Sequence, residues 1–288
     1  METVQFFLAC AMIILVFQCL LFLIALVKKD NSIADTGWGI GFILIAVFCA
    51  LYFSFVFSIS NMMGGKVPDP AFIMLISLVV IWGLRLSIYI FIRNWGKPED
   101  WRYAKWREDW GDFFYIRSFL QVFLLQGVFM IMIGSPVIFA AKETIVDFTS
   151  YGAVQDGVLS VGILIWLTGF YFQAVGDYQL YRFKNEIANK GKVMRYGVWR
   201  YTRHPNYFGE SSMWWGIFLI SCVSAHSIYG MLLRMIGPVT ITFMLLRVSG
   251  VTMLENKYKG NKEYEDYQKN TSSFLPLPQK NGWKSQVP

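Results

Sequence analysis

The chain has 288 residues, of which 55% are hydrophobic and only 16% charged, and its mean hydropathy is +0.43. That composition excludes a water-soluble globule and a disordered chain, and predicts an integral membrane protein. The net charge of +7 calls for no nucleic acid partner, because the loops that flank membrane spans on the cytoplasmic side carry surplus Lys and Arg. An aromatic share of 18%, with 11 Trp, suits long interfacial belts at headgroup level. Cys10, Cys19, Cys49 and Cys222 lie in apolar runs without CxxC spacing, and there are two histidines, so neither a disulfide framework nor a metal site is expected.

Crossing the hydrocarbon core takes about 20 apolar residues. Such runs lie at roughly 5–27, 37–60, 71–92, 118–140, 156–176, 210–225 and 229–248. The first has no basic n-region and is long enough to span, so it reads as a retained helix rather than a cleaved signal. The fifth is expected to continue as a polar helical extension, GDYQLYRFKNEIANKG, ending at Gly191. The sixth is short, which suggests tilt or partial burial in protein, and it forms a hairpin with the seventh around AHSIY. No internal repeat or low-complexity tract interrupts the pattern. The expected fold is all-α, a polytopic bundle of about seven transmembrane helices forming a single domain over 1–288.

Loop charge then sets an orientation. Of 26 basic residues, 21 follow spans one, three, five and seven, whereas the opposite loops hold only Lys66 and Lys142. Arg85, Arg234 and Arg247 lie within or beside spans. The N-terminus is thus expected outside or in the lumen and the C-terminus in the cytosol. The expected location is the endoplasmic reticulum in a eukaryote or the inner membrane in a bacterium. The tail KNGWKSQVP carries no retrieval signal that fixes a compartment.

Three polar segments stand out. RNWGKPEDWRYAKWREDWGDFFYIR, residues 93–117, reads either as an interfacial amphipathic helix with Trp95, Trp101, Trp106 and Trp110 at the headgroups, or as a cover in which Arg102 or Arg107 holds a phosphate. In the fifth helix Asp177, Tyr181 and Lys184 share a face at i, i+4, i+7 spacing, with Asp177 at the membrane edge, where a charge is normally paired or used. The third segment, KGKVMRYGVWRYTRHPNYFGE, carries the strongest signal. Lys192, Arg195, Arg200 and Arg203 offer charge to a pyrophosphate or 2′-phosphate, Asn206 offers both donor and acceptor, and Glu210 can accept from a hydroxyl or carboxamide. Positive-inside charge and a capped helix would explain the arginines singly but not Glu210. No GxGxxG, Walker loop, GxSxG or HExxH occurs.

The block GVWRYTRHPNYFGE, preceded by GDYQLYRFK and followed by LLRVSGVTMLE and YEDYQKNTSSFLP, resembles the steroid 5α-reductase-like membrane family, over about 20–278 and most sharply within 170–278. The resemblance implies a bundle that binds NADPH from the cytosolic side and passes a hydride to the β-carbon of an enone. By position, Asp177 and Tyr178 match the family's Asp-Tyr pair, and Asn206, Gly209 and Glu210 its Asn-x-x-Gly-Glu motif. Lys184 and Lys192 stand where the steroid enzymes use arginines, and Arg195, Arg203, His204 and Glu255 join the expected cofactor-binding set. The carbonyl-polarising acid falls on Asp35. The accompanying tyrosine falls near Trp82, whose indole donates but cannot protonate, so Tyr89 is the reserve donor. Asp35 and Tyr89 are therefore the expected catalytic residues, acting on a steroid or other apolar lipid.

A second likeness leads elsewhere. RHPNYFGE, Glu255 and the Tyr264, Tyr267 pattern also resemble isoprenylcysteine and phospholipid methyltransferases, which use S-adenosylmethionine. Those enzymes usually carry paired tail glutamates where MLENKY has one. A non-enzymatic lipid-binding scaffold is the third reading.

Overall fold

In a bilayer the backbone of an apolar run must satisfy its own hydrogen bonds, and without paired strands only a helix does so. The computed structural model describes residues 3–61, 69–143, 152–248 and 250–280; Lys66 and the tail 281–288 lie outside them. In chain order the helices are α1 (Thr3–Lys28), α2 (Ile33–Asn61), α3 (Pro70–Asn94), α4 (Trp101–Trp110), α5 (Phe114–Arg117), α6 (Leu125–Ile133) and α7 (Ser135–Glu143). They continue as α8 (Ala153–Asn185), α9 (Pro205–Cys222), α10 (Ile228–Phe243), α11 (Val251–Lys257) and α12 (Lys262–Asn270). π-Helical turns at Ser118–Leu124 and Met244–Val248 follow α5 and α10. Among the described residues the one β-type pairing is an isolated bridge between Thr202 and Ser272.

The protein is a multi-pass membrane protein. Among the described residues, six helices are long and apolar enough to cross: Thr3–Lys28, Ile33–Ser58, Pro70–Asn94, Trp101–Ile133, Ala153–Asn185 and Ile228–Asn256. The sixth expected span is α9, which has 18 residues, none of them exposed. Its polar start, PNYFGESS, faces protein rather than lipid. The fifth span also differs from expectation: α8 ends at Asn185, and the chain tightens into a 3₁₀ turn at Ile187–Asn189 before Gly191, so the helix stops short of that glycine.

The chain forms two compact units, one of residues up to Leu159 with Ile217–Gly237, the other of Ser160–Gly216 with Pro238 onward. In the first, α2 packs on α3 and on α1 and α7. The α2–α3 approach is close because a Cβ on Gly83 would stand 2.8 Å from the Gly39 carbonyl oxygen. Trp82 is buried there, edge-on to Phe42 at 5.2 Å. Asp69 caps α3 by accepting from the Ala71 amide, with Pro70 in the first turn, where its missing N–H does no harm. Arg234 is fully buried and needs no carboxylate to be useful: it donates to the Ser221 carbonyl near the end of α9 and to that of Phe139. Ser135 in turn donates to the Arg234 carbonyl, the oxygen that Pro238 in α10 cannot serve.

In the second unit α8 and α9 meet through glycines repeated every seven residues. Gly162, Gly169 and Gly176 on α8 face Gly216, Gly209 and Pro205 on α9. A Cβ on Gly209 would lie 2.5 Å from the Gln173 amide nitrogen, and one on Gly216 2.9 Å from that of Trp166. Such contact brings the two backbones within reach of Cα–H···O attraction and leaves no room for a side chain.

Candidate functional site

The close approach of α8 and α9 puts polar side chains opposite one another. Asn206 Nδ2 donates to Asp177 at 3.2 Å, and Gln173 Nε2 donates to Glu210 at 3.1 Å. Gln173 and Asp177 are one turn apart on α8, as are Asn206 and Glu210 on α9, so the pairs are successive rungs of one antiparallel ladder. Both carboxylates are buried, Asp177 at 4% exposure and Glu210 at 8%. Each rung joins a carboxyl acceptor on one helix to a side-chain amide donor on the other.

Arg203 and His204, ahead of α9, engage Glu255 and the tail instead. Arg203 donates through Nε to Glu255 at 2.8 Å and through Nη1 to the carbonyls of Gln268 and Thr271. His204 Nε2 lies 3.2 Å from the same Glu255 oxygen, and Gln268 Nε2 donates to the other at 2.9 Å. Burial pulls the His204 imidazole below its ordinary range, against the opposing hydrogen bond and charge of Glu255. Its ring stacks on Tyr207 at 5.3 Å. The tail closes over this clamp. Arg203 N donates to Ser272 O at 2.9 Å and Leu277 N to Tyr201 O at 3.0 Å, while the Tyr267 hydroxyl donates to the Trp199 carbonyl. Burial pushes the Tyr267 phenol well up, which keeps it a donor. Three of the expected cofactor residues, Arg203, His204 and Glu255, are thus held by one another and by the tail.

A cation-rich segment connects the end of α8 to the clamp. Arg182, Lys184, Lys190, Lys192 and Arg200 are exposed, and Arg195 is half-buried, 3.8 Å from Glu263. Gly197, at φ +61, lies close against Gln179, whose Oε1 accepts from the Val198 amide; the Trp199 indole donates to the Gly176 carbonyl. These bonds hold the segment against α8. Tyr178 follows Asp177 but is 59% exposed and accepts from the Arg182 guanidinium, whereas Asp177 is buried. Gly209 serves the helix approach described above.

The first unit holds a separate polar cluster. Asp35, in the first turn of α2, accepts from Arg102 Nη2 at 2.6 Å and from the Tyr103 hydroxyl at 2.6 Å. Arg102 also binds Asp100, which caps α4. Burial would raise the Asp100 carboxyl, but the hydrogen bonds and charge of Arg102 outweigh it and hold it below its usual value. Glu99 accepts from both Nε and Nη2 of Arg107 and from the Asn31 amide. Within 93–117, then, Arg102 and Arg107 anchor α4 to the α1–α2 turn, and Trp106 and Trp110 stack at 5.3 Å. Tyr89 sits between two cations, with Arg85 5.2 Å and Arg93 5.7 Å from its ring centroid.

Sequence reasoning missed Gln173, Gln268 and Tyr103. The first had a signal, since GFYFQAVGD spaces Gln173 and Asp177 one turn apart as NYFGE spaces Asn206 and Glu210. Among the described residues, no three His, Cys, Asp or Glu side chains gather as a metal ion would require.

The fold and this ladder define a helical, multi-pass membrane protein with a polar site built between two closely packed helices. The chain belongs to the family described as "Protein of unknown function (DUF1295)", which matches residues 21–271. It is also similar to "Uncharacterized protein C594.04c" of Schizosaccharomyces pombe, 22% identical over 276 residues that cover 88% of this chain and 75% of that protein. No solved structure matches the chain. Neither name carries an activity.

Proposed function

We propose that the protein is a membrane oxidoreductase that takes NADPH and reduces a carbon–carbon double bond conjugated to a carbonyl in a steroid or other apolar lipid. One observation carries the reading: the buried ladder of Asp177–Asn206 and Gln173–Glu210, continuous along α8 with an exposed run of lysines and arginines. Carboxylates and amides at that spacing suit ribose hydroxyls and a carboxamide. The exposed cations Lys184, Lys192 and Arg200, with Arg195, suit phosphates. S-Adenosylmethionine bears no phosphate and a sulfonium cation, so the same charges favour it less. Arg203, His204 and Glu255 support the site by fixing the entry to α9.

When bound, NADPH supplies the hydride to the β-carbon, and a proton from the protein or solvent completes saturation of the bond. Charge builds on the carbonyl oxygen as hydride arrives, and a placed donor lowers that barrier by several kcal/mol. Asp35 and Tyr89 remain the proposed pair for this step. Asp35 accepts from Arg102 and Tyr103, which suits it to orienting donors, and the Tyr89 phenol is the proton source.

The test is a titration of the purified protein with NADPH, NADH and S-adenosylmethionine, followed by lipid extraction. Expected are NADPH binding and a two-hydrogen mass gain with stoichiometric NADPH oxidation, steroid enones being the first substrates to try. Methyl transfer without NADPH consumption overturns the reading, as does a protein that binds neither cofactor. We further propose that the basic loops face the cytosol, with the C-terminus there and the N-terminus lumenal or outside, on the 21-to-2 split of loop cations. The location we propose is the endoplasmic reticulum in a eukaryote or the inner membrane in a bacterium. A C-terminal tag protected from protease in sealed, cytosol-out vesicles refutes the orientation.

A further inference from the structure

We infer that Tyr267 is a positioning residue for the α8–α9 site: from the tail, it fixes the stretch of chain that sets the Asp177–Asn206 rung. The inference rests on the reductase reading for what the rung binds, and on the contacts below for how the rung is held.

Helix α12 delivers two side chains to the protein. Asn261 caps it by accepting from the Tyr264 amide at 3.1 Å, and the i, i+3 spacing puts Tyr264 and Tyr267 on one buried face, while Lys262, Glu265, Asp266 and Lys269 are exposed. Tyr267 is 1% exposed, and its ring meets that of Tyr264 edge-on at 5.9 Å. Phenylalanine would fill that space as well, so the hydroxyl has to answer for its own burial with a hydrogen bond. It donates to the Trp199 carbonyl, and the Thr202 carbonyl lies 3.4 Å away. Trp199 belongs to the short 3₁₀ turn Gly197–Arg200, whose last carbonyls run out of backbone donors within the turn.

The stretch that Tyr267 holds touches both sides of the rung. On the α8 side, the Trp199 indole donates at 3.0 Å to the carbonyl of Gly176, the residue before Asp177. On the α9 side, the chain passes from Thr202 into the helix at Pro205, and a Cβ on Gly176 would meet Pro205 Cγ at 3.1 Å and the Asn206 nitrogen at 3.4 Å. One hydroxyl therefore ties the residue that braces α8 to the residues that start α9. Arg203 fastens the tail at Gln268, Thr271 and Ser272, but it is Tyr267 that reaches Trp199. The first amides of α9 report on this support, Tyr207 N donating to the Asn206 side chain at 3.1 Å and Phe208 N to the His204 carbonyl at 3.0 Å.

Tyr267→Phe keeps the ring and deletes the bond. In the cofactor-free, full-length protein, backbone hydrogen exchange should be faster than in the wild type at the Tyr207 and Phe208 amides and unchanged in α3. Tyr258→Phe, which alters a ring stacked on Tyr264 but no hydrogen bond among the described residues, should leave both regions as they are. In turnover with NADPH and an enone lipid, Tyr267→Phe should raise KM for NADPH about fivefold, as loss of one hydrogen bond would, and leave kcat unchanged. Trp199→Phe cuts the same chain of contacts at Gly176 and should reproduce both changes, which keeps the test decisive if one variant folds poorly. Wild-type exchange at the start of α9, equal acceleration throughout α3, or a fall in kcat at unchanged KM would each overturn the inference. If the wild type takes no NADPH, the reductase reading fails, and the exchange comparison alone decides whether Tyr267 holds the entry to α9.

Discussion

Gly209→Ala tests whether the family-like glycine serves helix packing before anything else. The added methyl would sit 2.5 Å from the Gln173 amide nitrogen and 2.9 Å from its Cβ, and the first of these is rigid backbone within α8. Restoring ordinary contact requires α8 and α9 to part by about 1 Å at that point. A gap of that size forfeits a quarter to a half of the attraction across the seam, and overpacking of this kind costs about 1–3 kcal/mol. Because Gln173 is the Glu210 partner, the same displacement opens that rung of the ladder. Gly176→Ala provides the internal control. Its methyl would meet Pro205 Cγ at 3.1 Å and the Asn206 nitrogen at 3.4 Å, which a shift of a few tenths of an ångström absorbs. Thermal unfolding in detergent, followed by near-UV circular dichroism, should rank wild type first, Gly176→Ala slightly below it, and Gly209→Ala well below. An unaltered melting temperature for Gly209→Ala, combined with lost NADPH binding, would refute the packing argument and return this glycine to the cofactor.

Glu210→Gln keeps its size and can still accept from Gln173, so it should fold normally; NADPH affinity should drop by about 1.5–3 kcal/mol, the worth of a hydrogen bond to a charged group, and wild-type affinity would exclude Glu210 from the site. Asn206→Ala removes the donor to Asp177 and should weaken binding by about 1 kcal/mol, with an unchanged titration counting against the ladder. Asp35→Asn loses the ion pair with Arg102, and should leave NADPH affinity intact while slowing lipid reduction tenfold or more; loss of affinity instead would remove Asp35 from its orienting role in the reduction step. His204 should give stability a pH dependence. Its folded pKa is lowered from 6.5, so the unfolded chain takes up a proton that the folded one refuses, and stability falls as pH drops below about 6.5, levelling off beneath the folded pKa. Subtracting the melting profile of His204→Gln between pH 5 and 8 isolates that slope, and a slope of opposite sign would mean an imidazolium held on Glu255.

Hydropathy made most helices legible, and local chemistry made several of their ends legible: Asp69 before Pro70, Asp100 before Trp101. Hydropathy cannot separate lipid-facing from protein-facing apolar residues, which is why α9 read as a doubtful span although all its residues are at least partly buried. The glycine repeat at 162, 169 and 176 was visible in principle, but glycines at that spacing announce close packing only once the opposing 209 and 216 are known to face them. The clamp was harder to see. Glu255 is 52 residues from Arg203 and 51 from His204, and neither spacing nor charge pattern pairs residues over that distance.

The helical period explains how one short block came to look like a single site. Successive residues on α9 diverge by about 100°, so in NYFGE the side chains of Asn206 and Glu210 share a face, while Gly209 meets Gly169 one step round. Arg203 and His204 precede the helix and turn toward Glu255 and the tail. A motif of this kind can be shared because it builds the α8–α9 seam and anchors the tail, whatever the seam later binds. Likeness at the block therefore transmits the scaffold first. Under the proposed reading, a phosphate-bearing cofactor is favoured over a sulfonium one by the cations this chain carries ahead of α9. Arg203 is bound to Glu255, so if the proposed NADPH site holds, the salt dependence of its binding should fall on the exposed Arg182, Lys184, Lys190, Lys192 and Arg200.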